Sequence, residues 1–259
     1  MATQEKSIFE ELAPYAKMVV VPGVTVGNLT YSNQQDLYST SVFTSGATGI
    51  VAANTRVNFY VGALGEQAAQ QGYTGGVFSL AQTNSTFGRG QAPANQVYIA
   101  THAGFALSGI SETNLTANPT ESLLLTAVEA QAALVGPPVK AGIQNNCDVY
   151  SIGQNFSWDL TIGRGITRTI GTLSEYTMPG VFATHDDGTA AAADRGFGQN
   201  GSPLCCISKL QVPIVFPPLV NVAIGAQNGS PFQLVVQNAA TNVQIKMVLR
   251  GYLMTMPVG

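Results

Sequence analysis

Residues 212–225 read VPIVFPPLVNVAIG, an almost wholly apolar run carrying three prolines in a chain that is otherwise polar but hardly charged. The run is too short for a membrane span, which needs about 20 apolar residues in unbroken helix. Pro213, Pro217 and Pro218 each lack a backbone donor and clash with a continuing helix, which argues against a buried helix. Extended chain at a sheet edge or a sheet entry remains, and outward from this point the sequence keeps reading as strands.

Short runs rich in Val, Ile, Phe and Tyr alternate with clusters of Gly, Asn, Pro and Ser. RVNFYVG (56–62), QVYIATHAGFALSG (96–109), FSWDLTIG (156–163), GITRTIG (165–171), FQLVVQN (232–238) and VQIKMVLRGYLMTM (243–256) are the clearest. In 156–162 the period of two places Phe156, Trp158, Leu160 and Ile162 on one face, with Ser157, Asp159 and Thr161 on the other. In the last run Val243, Ile245, Met247, Leu249, Gly251, Leu253 and Thr255 share a face, opposite Gln244, Lys246, Val248, Arg250, Tyr252 and Met254. A strand of that length runs through a sheet interior.

Two segments carry helix signals. Ser7 and Glu10 form a capping box that starts a short helix ended by Pro14, with Ile8, Phe9 and Leu12 on one side. In ANPTESLLLTAVEAQAALVGPP, Asn118 caps, Pro119 fits the first helical position, and Gly136, Pro137 and Pro138 stop a helix of about four turns near 119–135. No strand and helix alternation of the parallel-sheet kind appears, so the expected class is all-β with these two helices added. HDDGTAAAADRGFGQNGS (185–202) reads as a long exposed loop.

Only 10% of residues are charged, against about 25% in an average globular chain. Gly, Ser, Thr, Asn and Gln take the place of charge, as in YSNQQDLYSTSVFTSGATG (31–49), and such a surface suits close contacts between subunits, where a desolvated charge is expensive. The net charge is −3 and 11 Lys and Arg are spread thinly. No direct nucleic-acid binding is expected, because that needs clustered cations. The first 17 residues lack the apolar segment of a secretory signal, so synthesis in a cytosol is expected. Cys147, Cys205 and Cys206 make neither a disulfide framework nor a metal-ligand spacing.

Catalytic signals are sparse. His102 falls in a strand and His185 in the loop, neither beside an obvious partner. Neither a G-x-S-x-G nucleophile elbow nor a phosphate-binding G-x-x-x-x-G-K-[ST] loop occurs. Asp186, Asp187 and Asp194 are the weak candidates for a hard cation such as calcium, set against the plainer reading of a solvated acidic turn. Asp36, Asp148 and Asp159 stand isolated in sequence, and Arg164 and Arg168 are expected on one side of a strand. N-x-[ST] sequons at Asn28, Asn84, Asn114, Asn155, Asn200 and Asn228 read as products of an Asn-, Ser- and Thr-rich chain. No enzyme activity and no cofactor is expected.

The last third, NGSPLCCISKLQVPIVFPPLVNVAIGAQNGSPFQLVVQNAATNVQIKMVLRGYLMTMPVG (200–259), resembles the final strands of jelly-roll capsid proteins from tailless icosahedral bacteriophages. QTNSTFGRGQAPANQVYIATHAGFAL (82–107) is similar to the turn, Pro-containing loop and long strand of such subunits, and the capping-box helix to their N-terminal element. The resemblance implies a viral-type jelly-roll β-sandwich over residues 18–259 behind an N-terminal arm of residues 1–17, with 119–135 as an inserted helix. About a dozen strand candidates favour one elaborated roll over a compact double roll, which needs about sixteen. It further implies a major capsid protein that self-assembles into an icosahedral shell, located in the virion. Its partners are then other copies of itself and other virion proteins, with contact to an inner membrane open to the arm.

Two alternatives share the composition: a virion accessory protein (decoration, spike-base or tail component) and a carbohydrate-binding β-sandwich module. A metal-dependent enzyme on this fold needs clustered histidines, and the two here lie far apart in sequence. For sugar binding Trp158 beside Asp159 is the one candidate platform, against a core role for the tryptophan. The strand phase makes a direct prediction: Leu249→Asp places a carboxylate in the core and prevents soluble folding, and a well-folded variant by circular dichroism would show the phase to be wrong.

Overall fold

The computed structural model describes residues 30–46, 48–80, 82–109, 116–117, 146–165, 167–176, 183–185, 196–198, 207–234 and 242–255. The helices expected at 7–13 and 119–135, and residues 235–238 of the FQLVVQN run, lie outside the described residues.

Eight principal strands build the fold: β1 (Thr30–Thr44), β2 (Arg56–Phe59), β3 (Gln96–Gly109), β4 (Phe156–Ile162), β5 (Arg168–Thr172), β6 (Ser208–Phe216), β7 (Val222–Asn228) and β8 (Asn242–Thr255). They form two four-stranded sheets, ordered β1-β8-β3-β6 and β2-β7-β4-β5. Every neighbouring pair in both sheets is antiparallel. The class is all-β, as the strand runs and turn clusters indicate. Short ladders join Ile50–Val51 to Phe232–Gln233, Gly75–Gly76 to Thr116–Ala117, and Ala183–His185 to Gly196–Gly198. Of the stretch 185–202 expected as a long exposed loop, His185 and Gly196–Gly198 belong to the last of these, a small antiparallel pair, and the other residues lie outside the described residues.

One core fills the space between the two sheets. Leu37, Phe105, Leu107, Val243, Ile245, Met247 and Leu249 enter it from the first sheet, and Val57, Phe59, Phe156, Trp158, Val222 and Ile224 from the second. Ring pairs bridge the layers: Phe43 to Phe156 at 5.1 Å, Phe105 to Trp158 at 5.5 Å and Phe59 to Phe105 at 5.8 Å between centroids. Each large apolar side chain so buried contributes about 1.5–3 kcal/mol. The phase read for β8 holds, with Val243, Ile245, Met247 and Leu249 fully buried. The phase of β4 also holds, although burial fades toward its end and Ile162 is exposed.

The prolines of the opening run occupy places where no ladder donor is needed. β6 pairs with β3 at Ser208–Lys209 and again at Ile214–Phe216, and the intervening Leu210–Pro213 bulges opposite the single residue Thr101. Pro213 therefore stands in the bulge, Pro217 follows the strand, and Pro218 lies beside Ala92, whose carbonyl accepts from the Leu219 amide at 2.9 Å. Ile214, Val215 and Phe216 are buried, and the Phe216 ring is covered by Tyr60, Phe87 and Tyr98.

Two elements depart from the sequence expectation. Apart from Gln154, α1 (Asn146–Asn155) is built from Asn, Cys, Asp, Val, Tyr, Ser, Ile and Gly, none of them a strong helix former. It is anchored by Ile152, fully buried in the core, and by Gln154 Nε2 donating to Ser174 Oγ at 2.9 Å. β1, 15 residues long, carries residues 31–44 of the polar stretch that composition alone assigned to the surface. It pairs with β8 from Thr30 opposite Thr255 to Thr44 opposite Asn242.

The segment between β2 and β3, residues 60–95, folds back against β1 and presses closest at Gly72. Its φ is +88°, and a Cβ there would overlap the carbonyl of Val42. Gly72→Ala adds backbone strain to that overlap, so urea unfolding is expected to show a loss of at least about 2 kcal/mol.

Candidate functional site

The feature that organises the molecular surface is a seam between β1 and the 60–95 segment. An edge strand turns alternate residues outward, leaving their N–H and C=O groups unpaired. On β1 these groups belong to the even-numbered residues, and the segment supplies partners at Asp36, Tyr38 and Thr40. Asn84 Nδ2 donates to the Asp36 carbonyl at 2.7 Å, Asn84 Oδ1 accepts from the Tyr38 amide at 2.8 Å, and Thr83 Oγ1 donates to the Tyr38 carbonyl at 2.8 Å. Gln71 Nε2 donates to the Thr40 carbonyl.

Gln71 is the centre of the seam. Only 1% exposed, it uses its full side-chain capacity. Its Oε1 accepts from the amides of Val61 (3.2 Å) and Gly62 (3.1 Å), and its Nε2 donates to Ser39 Oγ (2.9 Å) as well as to Thr40. Ser39 Oγ also accepts from the Tyr60 amide at 3.0 Å, and Ser41 Oγ donates to the Gln71 carbonyl at 3.0 Å. One layer out, Tyr73 Oη meets Thr40 Oγ1 at 2.6 Å and accepts from Gln244 Nε2 at 2.8 Å. Burial pushes the Tyr73 phenol up to about 12, the two hydrogen bonds offsetting only part of that rise. Val42, Ala68, Tyr73 and Phe78 close the seam with an apolar cluster. Ser39, Thr40 and Ser41 are thus buried structural hydroxyls, each bonded to a neutral partner.

The carboxylates that look isolated in sequence find partners across strands. Asp36 accepts from Arg250 Nε and Nη2, both at 2.9 Å, between facing residues of β1 and β8. Asp159 accepts from Arg56 Nη1 at 2.6 Å and Nη2 at 2.7 Å, reaching from β4 over β7 to β2. Gly225 leaves the space that this guanidinium fills. The hydrogen bond to Asp159 is the main reason the Arg56 guanidinium holds its proton more tightly than usual. The pairing of Arg164 with Arg168 on one strand is corrected: Arg164 sits in the turn after β4, and Arg168 opens β5.

His102 lies on β3, its Nδ1 2.8 Å from Thr101 Oγ1, with Arg250 and Lys209 as its facing neighbours. A ring flanked by cations is a poor general base, and burial together with those cations lowers its proton affinity. Trp158 is fully buried between Phe105 and Tyr176, so it offers no platform for a sugar. Two of the sequons are committed inside the fold: Asn84 is bonded to β1, and Asn228 is fully buried with its Nδ2 donating to the carbonyls of Ala52 and Ser230. Asp186, Asp187 and Asp194 lie outside the described residues, and among the described residues no three His, Cys, Asp or Glu side chains gather as a metal site. Among the described residues no helix is long and apolar enough to cross a membrane.

The exterior also carries exposed aliphatic side chains. Leu80 is 64% exposed, and Leu64 and Val77 join it on the 60–95 segment; Val212 (68%) stands on the β6 bulge and Leu219 (66%) in the turn before β7. From 61 to 87 the segment holds one charged residue, Glu66, whose carboxylate accepts from the Ala63 amide at 2.8 Å.

The seam predicts a graded pair of variants. Gln71→Ala strands two amides and a carbonyl and should cost about 3 kcal/mol in chemical denaturation, whereas Tyr73→Phe removes one shared hydroxyl and should cost about 1 kcal/mol. Comparison with family models, with curated proteins and with solved structures finds no match for this chain.

Proposed function

We propose that this chain is a single jelly roll and a structural shell subunit, a capsid protein of the viral type that assembles by side-chain contacts between uncharged exteriors. The observation that carries the fold half of the proposal is the strand order. With the eight strands counted along the chain, the first pairs with the eighth, the second with the seventh, the third with the sixth and the fourth with the fifth. This is one long antiparallel hairpin folded at β4–β5 and rolled so that its pairs fall alternately into two sheets, the connectivity of two Greek keys in a roll. Only the β4–β5 connection stays within a sheet.

Such a roll serves shells, lectins and metal enzymes alike, so function rests on the site. Three features support the shell. Charge is 10% of the chain, and the two carboxylates of the strands, Asp36 and Asp159, are taken up by arginines of the same chain. The most exposed large hydrophobic side chains among the described residues, Leu80, Val212 and Leu219, stand on turns or bulges, where a neighbouring copy could reach them. The outward edge of β1 is already bonded within the chain, so neighbours would meet as surfaces instead of merging sheets. Many such weak contacts close a stable symmetric particle. In the same proposal the protein is not an enzyme and resides in the virion.

The test is light scattering with negative-stain microscopy of the purified chain over a concentration series. Shells or ring-like capsomers are expected, and Leu80→Asp combined with Val212→Asp should shift the population toward monomer while the circular dichroism spectrum is kept. A monodisperse monomer at high concentration would overturn the assembly reading.

A further inference from the structure

A row of ionisable side chains crosses the first sheet at a single level. Asp36 on β1 faces Arg250 on β8, Arg250 faces His102 on β3, and His102 faces Lys209 on β6. Facing residues in antiparallel strands share one side of the sheet, so these four groups are neighbours in order. The Asp36 carboxylate is engaged by two nitrogens of Arg250, which leaves His102 between two cations with the carboxylate of the row on the far side of one of them.

The backbone around His102 is irregular. Thr101 is skipped in the ladder to β8, where Arg250 faces His102 and Gly251 faces Ala100, and it stands alone opposite the Leu210–Pro213 bulge of β6. Bulges redirect side chains and interrupt pairing. Here Ser208 opposite Ala103 and Lys209 opposite His102 form a two-residue ladder with no continuation until Ile214, flanked by the buried side chains of Ile207 and Leu210 and with Ser208 Oγ donating to the Glu175 carbonyl at 3.3 Å. The ring is held at this point by Thr101, whose Oγ1 lies 2.8 Å from Nδ1 and donates to the Arg250 carbonyl at 3.3 Å.

We propose that His102 makes the Ser208–Lys209 end of β6 an acid-released edge: the neutral ring permits the short ladder, and its protonated form, caught between Arg250 and Lys209, repels Lys209 and opens it. The groups facing the ring are Arg250 from β8, Lys209 from β6 and, beyond Arg250, Asp36 from β1. Burial comes first in lowering the affinity of this ring for a proton, followed by Arg250 and Lys209, while Asp36 pulls weakly the other way. Because the folded state holds the proton less tightly than an ordinary histidine at 6.5, the unfolded or opened state takes up more protons, and stability falls as pH drops through that value toward the lower native one. The device concerns the edge of the first sheet and does not depend on the assembly reading.

Histidines dominate titration between about pH 7.5 and about pH 5.5, and this chain has two, His102 and His185. Amide hydrogen exchange of the full chain at those two pH values, corrected for the intrinsic rate, should show residues 208–211 losing protection by about fivefold on acidification, the scale of one near-surface like-charge contact. His102→Gln should abolish that loss, and His185→Gln should retain it. Should His102→Gln fail to fold, Lys209→Gln, altering an exposed residue, is expected to halve the response and raise the midpoint of the His102 imidazole in an NMR titration. Protection that is indifferent to pH in the wild type, a response surviving in His102→Gln, or an imidazole midpoint unmoved by Lys209→Gln would overturn the proposal.

Discussion

A strand rich in Ser, Thr and Gln is buried at low cost only where its hydroxyls and outward backbone groups find partners, and at the centre of β1 Gln71 supplies them, with Thr83 and Asn84 beside it. Gln71 bonds to Ser39 and Thr40 on one side and to the Val61 and Gly62 amides on the other. A buried amide with an unmet donor or acceptor costs about 1–3 kcal/mol for each group left bare, so the segment that carries Gln71 must close against β1 at one register. Gly72 makes that closeness possible, since any Cβ would meet the Val42 carbonyl. The β1–β8 ladder then fixes β8, which carries four fully buried side chains of the first sheet's core face, Val243, Ile245, Met247 and Leu249.

From β8 the rest of the architecture is constrained. β8 sits between β1 and β3, so its Val243, Ile245, Met247 and Leu249 face the second sheet from the middle of the first. The rings of Phe43, Phe59, Phe105, Phe156 and Trp158 lock the layers together. At the open end Tyr60, Phe87, Tyr98 and Phe216 form a second ring cluster, with the Tyr60 and Tyr98 hydroxyls donating back to strand carbonyls. Burial raises the proton affinity of both phenols, which keeps them neutral donors.

Period-two alternation made β4 and β8 legible, because one face of each is largely apolar and the other carries polar side chains, whereas β3 was legible as a run rich in Val, Tyr, Ile and Phe. β1 escaped because its core-facing positions include Ser39 and Ser41 beside Leu37 and Phe43, so the alternation is broken by hydroxyls whose partners lie 30 or more residues away in Gln71. α1 escaped because tertiary anchors, the buried Ile152 and the Gln154–Ser174 hydrogen bond, secure a helix that most of its own residues do not favour. The ion pairs were hidden for a similar reason: Asp36 and Arg250 are 214 residues apart, and Asp159 and Arg56 are 103 apart. Register between strands is a tertiary quantity. The row around His102 required three registers at once, and sequence spacing encodes none of them.

The scarcity of charge therefore has two separate origins, and only one of them speaks for assembly. Part of the Ser, Thr, Asn and Gln content is consumed inside the chain, in Ser39, Thr40, Ser41, Gln71, Asn228 and Gln244, where an ionised side chain would face an unpaired burial cost. That share would be needed by a monomer just as much. The other share lies outside, where the 61–87 segment exposes Leu64, Val77 and Leu80 with a single self-bonded glutamate among them. Solubility alone gives no reason for such a surface, because interspersed charge is what keeps free monomers apart. A contact with another macromolecule does, and with the outward edge of β1 closed by the seam, such a contact would form through side chains on turns and bulges, weak singly and reversible until many act together.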